Sequence, residues 1–201
     1  MQLSDLQPPW PTVFELMWDA YIAGTIPVGA VVADDAGTIV SRGRNRIFTP
    51  PADGQLGGTR LGHAEINALV ALSSERTYPE LTLYTALEPC HLCLAAATST
   101  RVGAVRYAAA DPYGGAVGKL LASEDMRQHP VRIEGPLHGP AGLIPEVLLL
   151  RHMLWRVPDG PGMVPLYRRL HPELVDIALR IPAPRDATTL SDAFARIGAA
   201  P

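Results

Sequence analysis

Cysteine is almost missing from this chain: its 201 residues hold two, Cys90 and Cys93. A disulfide scaffold is thereby excluded, and a bridge between these two would close too short a loop to stabilise much. Lysine is scarcer still, with Lys119 the sole example. The formal net charge of -3 lacks the electrostatic footprint of a polyanion binder. No apolar run approaches the length of a membrane span. The opening MQLSDLQPPW lacks the basic start and apolar centre of a secretory signal. These absences lead us to expect a soluble, cytoplasmic protein with no membrane partner and with its thiols kept reduced. What is present, 47% hydrophobic and 18% charged residues, is the composition of a globular chain. The length suits one sizeable domain with a small appendage.

The elements follow from periodicity and punctuation. Thr12 and Glu15 have capping-box spacing, so a helix is expected from there to about Ala23, ended by Gly24. Pro27 to Ala33 and Thr38 to Ser41, joined by Asp34-Asp35-Ala36-Gly37, read as a hairpin. The stretch from Arg46 to Gly62 is rich in Pro and Gly and long for a connection, which suggests a functional cover. Helices are expected from His63 to about Glu75, Cys90 to Thr100, near Leu120, and Ala141 to Val157. Strands are expected over Leu81 to Leu87, Ala104 to Ala109 and Val131 to Glu134. This alternation predicts an α/β fold with parallel pairing in its second half and helices on the sheet faces. Residues 1-157 would form the main domain. Residues 158-201 would be a helical C-terminal extension packed on it, with pieces near Leu166 to Ile181, interrupted at Pro172, and Ser191 to Ile197.

Two short stretches carry chemistry: His63-Ala64-Glu65 and Pro89-Cys90-His91-Leu92-Cys93. One imidazole and two thiolates are three zinc ligands, which leave the fourth tetrahedral position open to water, the pattern of a catalytic site. Each motif opens a helix, where negative charge is favoured, so thiolates at Cys90 and Cys93 are stabilised even before a metal binds. Glu65, two residues from the imidazole, is placed to take a proton from an activated water and deliver it elsewhere. Alone, a His-x-Glu is most often a helix surface, and a Cys-x-x-Cys is ambiguous between metal, redox and core. A redox reading of the cysteines leaves His63 and Glu65 unexplained. His91 reads as a solvent-facing helix residue.

With those residues in view, the chain resembles the cytidine deaminase-like superfamily, in the branch that holds tRNA adenosine deaminases and bacterial guanine deaminases. The resemblance rests on Ile26 to Val31, Gly43-Arg44-Asn45-Arg46, His63-Ala64-Glu65-Ile66, Thr82 to Thr85, Leu87-Glu88-Pro89-Cys90, and Asp111 with Gly115-Ala116. It implies a three-layer α-β-α sandwich around a mixed five-stranded sheet, one Zn²⁺ per chain, and a homodimer. It makes His63, Cys90 and Cys93 the ligands and Glu65 the catalytic proton shuttle. It places Asn45 against the substrate, with the main chain around Ala64 and Glu88. The Arg46 to Gly62 loop is longer than is usual in that branch, and the strongly basic tail that tRNA calls for is missing.

Three functions follow. The first is a zinc-dependent hydrolytic deaminase of a small-molecule purine-type nucleobase or nucleoside, releasing ammonia. The second is adenosine-to-inosine deamination in tRNA, disfavoured by the charge balance because RNA affinity rests on phosphate contacts. The third is a non-catalytic zinc scaffold, for which an intact Glu65 has no use. The contacts that select the ring are expected from the long loop, from the Asp111 to Gly118 turn, or from the extension. Tyr113 and Phe48 are candidates to stack on a base.

Overall fold

Two glycines fix which helix covers which face of the sheet. A Cβ on Gly29 would stand 2.3 Å from the Val13 carbonyl oxygen, and one on Gly43 would stand 2.2 Å from that of Ala64. Neither contact is sterically possible, so each glycine lets a helix backbone lie directly on a strand. The computed structural model describes residues 3-52, 54-120, 124, 128, 130-160, 162-187 and 189-198.

The strands are β1 (Gly29–Ala33), β2 (Ile39–Arg44), β3 (Tyr78–Leu87), β4 (Val102–Ala109) and β5 (Arg132–Glu134). They form one sheet in the order β2-β1-β3-β4-β5. β1 runs antiparallel to both β2 and β3, whereas β3, β4 and β5 are parallel. This is the mixed five-stranded sheet that the resemblance implied. The switch from antiparallel to parallel falls where a hairpin gives way to strands joined by helical crossovers.

Helix α1 (Trp10–Ile22) packs on one face with α5 (Pro140–Arg156); α2 (Ala64–Leu69) and α3 (His91–Thr100) pack on the other, with α4 (Val117–Leu120) beside α3. The capping box expected at Thr12 does not form. Helix α1 starts at Trp10, with Pro9 at the N-cap and no side-chain cap bond. Proline in the first turn costs no hydrogen bond there and presets φ, so it takes the start from Thr12. Helix α2 is also shorter than expected, ending at Leu69 rather than near Glu75.

In the extension, α6 (Met163–Leu170), α7 (Pro172–Leu179) and α8 (Leu190–Gly198) follow one another, with the break at Pro172 where it was expected. They pack against α5 and α1. Tyr167 Oη donates to Glu146 Oε1 at 2.6 Å, Tyr21 Oη donates to the Pro182 carbonyl at 2.6 Å, and the rings of Phe14 and Phe194 meet edge to face at 5.7 Å. Buried residues from Trp10 to Ile197 belong to a single hydrophobic cluster. Among the described residues, no helix is long and apolar enough to cross a membrane.

Candidate active site

His63 and Cys90 are N-cap residues, of α2 and α3 respectively, and both have extended backbones. Neither side chain caps its own helix. They turn instead toward each other and toward Cys93, one turn into α3. His63 Nδ1 lies 3.7 Å from Cys90 Sγ and 3.3 Å from Cys93 Sγ, and the two sulfurs are 3.6 Å apart. Ligands held tetrahedrally at ~2.3 Å (sulfur) and ~2.0 Å (nitrogen) stand roughly 3.5–3.8 Å from one another, so this triangle is one face of a zinc tetrahedron. These three residues form a potential metal-binding group, and the donor set fits zinc.

The same cluster is electrically prepared. The Cys90 thiol is pulled down to about 3, first by the hydrogen bond from Cys93 and then by His63. Cys93, fully buried, is held above its usual range by sharing its proton with Cys90 and by burial. His63 is raised chiefly by its hydrogen bond to Cys90, with burial opposing.

Glu65 sits in the first turn of α2 and is buried, which pushes its carboxyl up. Its Oε1 accepts a hydrogen bond from Thr85 Oγ1 at 3.1 Å. Strand parity explains the partner. Thr85 pairs across the sheet with Ala30, and Ala30 pairs with Gly43, whose missing side chain faces α2. Thr85 therefore points at α2, and at Glu65.

These groups open onto a cavity of about 260 Å³. His63, Glu65 and Cys90 line one end; Asn45, Leu87, Glu88, Asp111 and Tyr113 line the walls; Leu149, Met153 and Met163 close it from the C-terminal side. A larger groove of about 560 Å³ runs between α2 and α3, but it contains none of the donor set and lies away from Glu65.

Asn45 is buried at the cavity wall. Its Oδ1 accepts from Thr25 Oγ1 at 2.6 Å and from the Ile47 N–H at 3.1 Å. With its oxygen doubly engaged, its amide nitrogen has no protein partner among the described residues and is a donor left for a ligand. Glu88 also lines the cavity, but its carboxylate is occupied: Oε1 accepts from the Val117 N–H at 3.0 Å and Oε2 from the Asp111 N–H at 3.3 Å. It fastens the Asp111 turn to the end of β3. Ala64 is fully buried, is not part of the cavity lining, and turns its carbonyl to Gly43 in β2. His91 is exposed.

The long loop does not touch this cavity. Among the described residues, none from Arg46 to Gly62 lines it. The loop is tied to the scaffold instead, with Asn67 bridging the N–H and carbonyl of Leu56 and Arg46 binding Gln55. The Asp111 turn does contribute, with Asp111 Oδ1 accepting from the Tyr113 and Gly114 N–H groups at 3.0 and 2.8 Å. Tyr113 lines the cavity; Phe48 does not. Sequence reasoning missed Thr25, Thr85 and Met163. Thr85 was recoverable from strand parity alone, whereas Thr25 and Met163 carry no local signal.

Residues 11–109 match the family model of the cytidine and deoxycytidylate deaminase zinc-binding region. The chain is 44% identical over 96 residues to the tRNA(Ile)-lysidine synthase of Deinococcus radiodurans, a match over 46% of this chain but 15% of that protein. It is 31% identical over 106 residues to the tRNA-specific adenosine deaminase of Rickettsia bellii, covering 51% of this chain and 68% of that one. In fold it is similar to a guanine deaminase from Nitrosomonas europaea, with a TM-score of 0.53 at 23% identity over 73% of this chain and 85% of that one. The chain thus spans under a fifth of the lysidine synthases it matches and a larger share of the deaminases.

Proposed function

The chain belongs to the cytidine and deoxycytidylate deaminase zinc-binding family, within the cytidine deaminase-like superfamily, and from that premise we propose that it is a zinc-dependent hydrolytic deaminase of a purine-type base, free or as a nucleoside. His63 Nδ1, Cys90 Sγ and Cys93 Sγ would hold the ion. When bound, zinc supplies the acidification of a water that makes it nucleophilic near neutral pH.

The rest is done by this chain's own residues. Glu65, kept basic by contact with solvent-poor surroundings and steadied by Thr85, accepts the proton released as water attacks the amino-bearing ring carbon. It passes that proton to the ring nitrogen, then carries a second to the departing amine. Water is consumed, the C–N bond breaks, a carbonyl replaces the amine and ammonia leaves. The Asn45 amide nitrogen donates to a ring acceptor and fixes which edge faces Glu65. Leu87, Leu149, Met153 and Met163 cover the ring faces and exclude bulk water.

The observation that carries the small-substrate reading is the roof. Met163, from the extension, and Met153 cover a cavity of about 260 Å³, below the ~300–1,000 Å³ of sites for drug-sized ligands. The second reading, a tRNA adenosine deaminase, is favoured by the likeness to the Rickettsia bellii enzyme. The resemblance further supports a homodimer. Ammonia release from a panel of purine and pyrimidine bases and nucleosides, with and without tRNA, tests the two. Turnover of a free purine supports the first; inosine formed in tRNA without any small-molecule turnover overturns it.

A further inference from the structure

Of the described residues that line the base cavity, Tyr113 alone is mostly open to solvent, at 58% exposure. The others are buried or partly buried. The Tyr113 ring therefore marks where the cavity meets solvent.

Two segments hold that ring. Its backbone is fixed by the Asp111 turn, where Asp111 Oδ1 accepts from the Tyr113 N–H at 3.0 Å. Its far end lies on Gly162, the N-cap of α6: a Cβ on Gly162 would stand 2.6 Å from Tyr113 Oη and 2.9 Å from Cζ. Gly162 also has a φ of 105°, which other residues rarely adopt, so both the space and the backbone call for glycine there. The next residue, Met163, is part of the cavity roof. Tyr113 thus reaches from the turn after β4 to the start of α6, along the rim of the cavity. A ring this exposed buries little apolar area, so core packing does not account for the placement. Among the described residues its hydroxyl has no hydrogen-bond partner, so the ring is seated by shape.

Purine chemistry says what such a bar would exclude. The amino-bearing carbon belongs to the six-membered ring and must face Glu65 and the zinc donors. The glycosidic nitrogen belongs to the five-membered ring, away from that carbon. A ribose would therefore project from the zinc end toward the rim. We propose that Tyr113, seated on Gly162, is a specificity-determining residue that bars a ribose from the mouth and limits turnover to free bases. The proposal rests on the reading of the cavity as a base pocket and narrows its occupant. Selection works through a clash with the larger substrate rather than an added contact to the smaller one. The extension thus enters specificity twice, through Met163 as roof and through Gly162 as the seat of the ring.

The test measures kcat and KM for adenine, guanine and their ribonucleosides in zinc-loaded wild type, Tyr113→Ala, Tyr113→Phe and Gly162→Ala. Binding of the same four compounds is measured calorimetrically. The expected wild type prefers a free base. Tyr113→Ala raises kcat/KM for the matching nucleoside by about tenfold or more, mainly through KM. Tyr113→Phe keeps the ring and the preference. Gly162→Ala displaces the ring and moves the same way, and it adds nothing for the nucleoside when combined with Tyr113→Ala. Thermal melting shows whether Gly162→Ala folds; if it does not, Tyr113→Ala, at an exposed position, decides alone. Wild type that turns over a nucleoside as well as its base overturns the proposal. So does a nucleoside kcat/KM that stays level or falls in Tyr113→Ala. If wild type turns over none of the four, the small-substrate reading fails and the calorimetry decides. Nucleoside affinity gained in Tyr113→Ala then supports the bar, and unchanged affinity overturns it.

Discussion

The Thr85 hydroxyl donates to Glu65 Oε1 at 3.1 Å, and both side chains are buried. A hydrogen bond to a charged group in such surroundings contributes roughly 1.5–3 kcal/mol. Thr85→Val keeps the shape and removes the donor. We expect kcat to fall about tenfold or more with KM little changed and zinc still bound, while Thr85→Ser restores most of the rate. Steady-state kinetics with metal analysis on the same preparations check this. Loss of zinc in Thr85→Val would show that the threonine supports the ligand set rather than Glu65.

The Thr25–Asn45 pair makes a separate prediction. Asn45→Ala removes the free amide donor, and Thr25→Val leaves Asn45 in place without the bond that orients it. Both variants should raise KM, Asn45→Ala by about tenfold and Thr25→Val by less, since a neutral hydrogen bond contributes about 0.5–1.5 kcal/mol. A Thr25→Val effect larger than that of Asn45→Ala would mean that Thr25 has another role.

These two threonines also mark how far the sequence could be read. His63, Glu65, Cys90 and Cys93 stood out because metal and proton chemistry restrict residue type and spacing, and Asn45 and Glu88 came with the resemblance. The sheet and its hairpin were legible because apolar runs broken by Gly and Pro mark strands. The start of α1 was misplaced because Pro9 and Pro11 override a capping box that is otherwise well spaced. The resemblance offered Glu88 for its main chain, and the bonds of its carboxylate to the Asp111 turn are a tertiary fact with no local trace in the sequence. The Arg46 to Gly62 loop looked like a cover because of its length, but the cover comes from Met153 and Met163, brought in by packing of α5 and α6.

That roof can be tested directly. Met163 is buried, and Met163→Ala should cost about 2–5 kcal/mol of stability through the cavity it leaves. It should also lower kcat/KM for a free base by about tenfold while bulkier nucleosides lose less. Denaturation curves and a two-substrate comparison check both effects. An equal loss on base and nucleoside would remove Met163 from the determinants of substrate size.

His152, on α5, is fully buried, and among the described residues neither of its ring nitrogens has a hydrogen-bond partner. Burial, and then the Arg156 charge, pull its pKa down to about 4. The folded protein therefore keeps the ring neutral where the unfolded chain, titrating near 6.5, would protonate it. The unfolded state binds the extra proton, so stability falls as pH drops from 6.5 toward 4, by up to roughly 3 kcal/mol. His152→Leu should flatten that part of the stability–pH curve, measured by urea denaturation between pH 7.5 and 4.5, an interval of about three pH units. A curve as steep as the wild type's would assign the acid sensitivity to other groups.

The central claim is that His63, Cys90 and Cys93 hold zinc while Glu65 moves the protons. It is tested most directly by measuring zinc content and ammonia release together in wild type, Glu65→Gln and Cys90→Ala. We predict about one zinc per chain with turnover in wild type, the same zinc without turnover in Glu65→Gln, and neither in Cys90→Ala. Ammonia release that survives in Glu65→Gln, or zinc that is lost with it, would contradict the account.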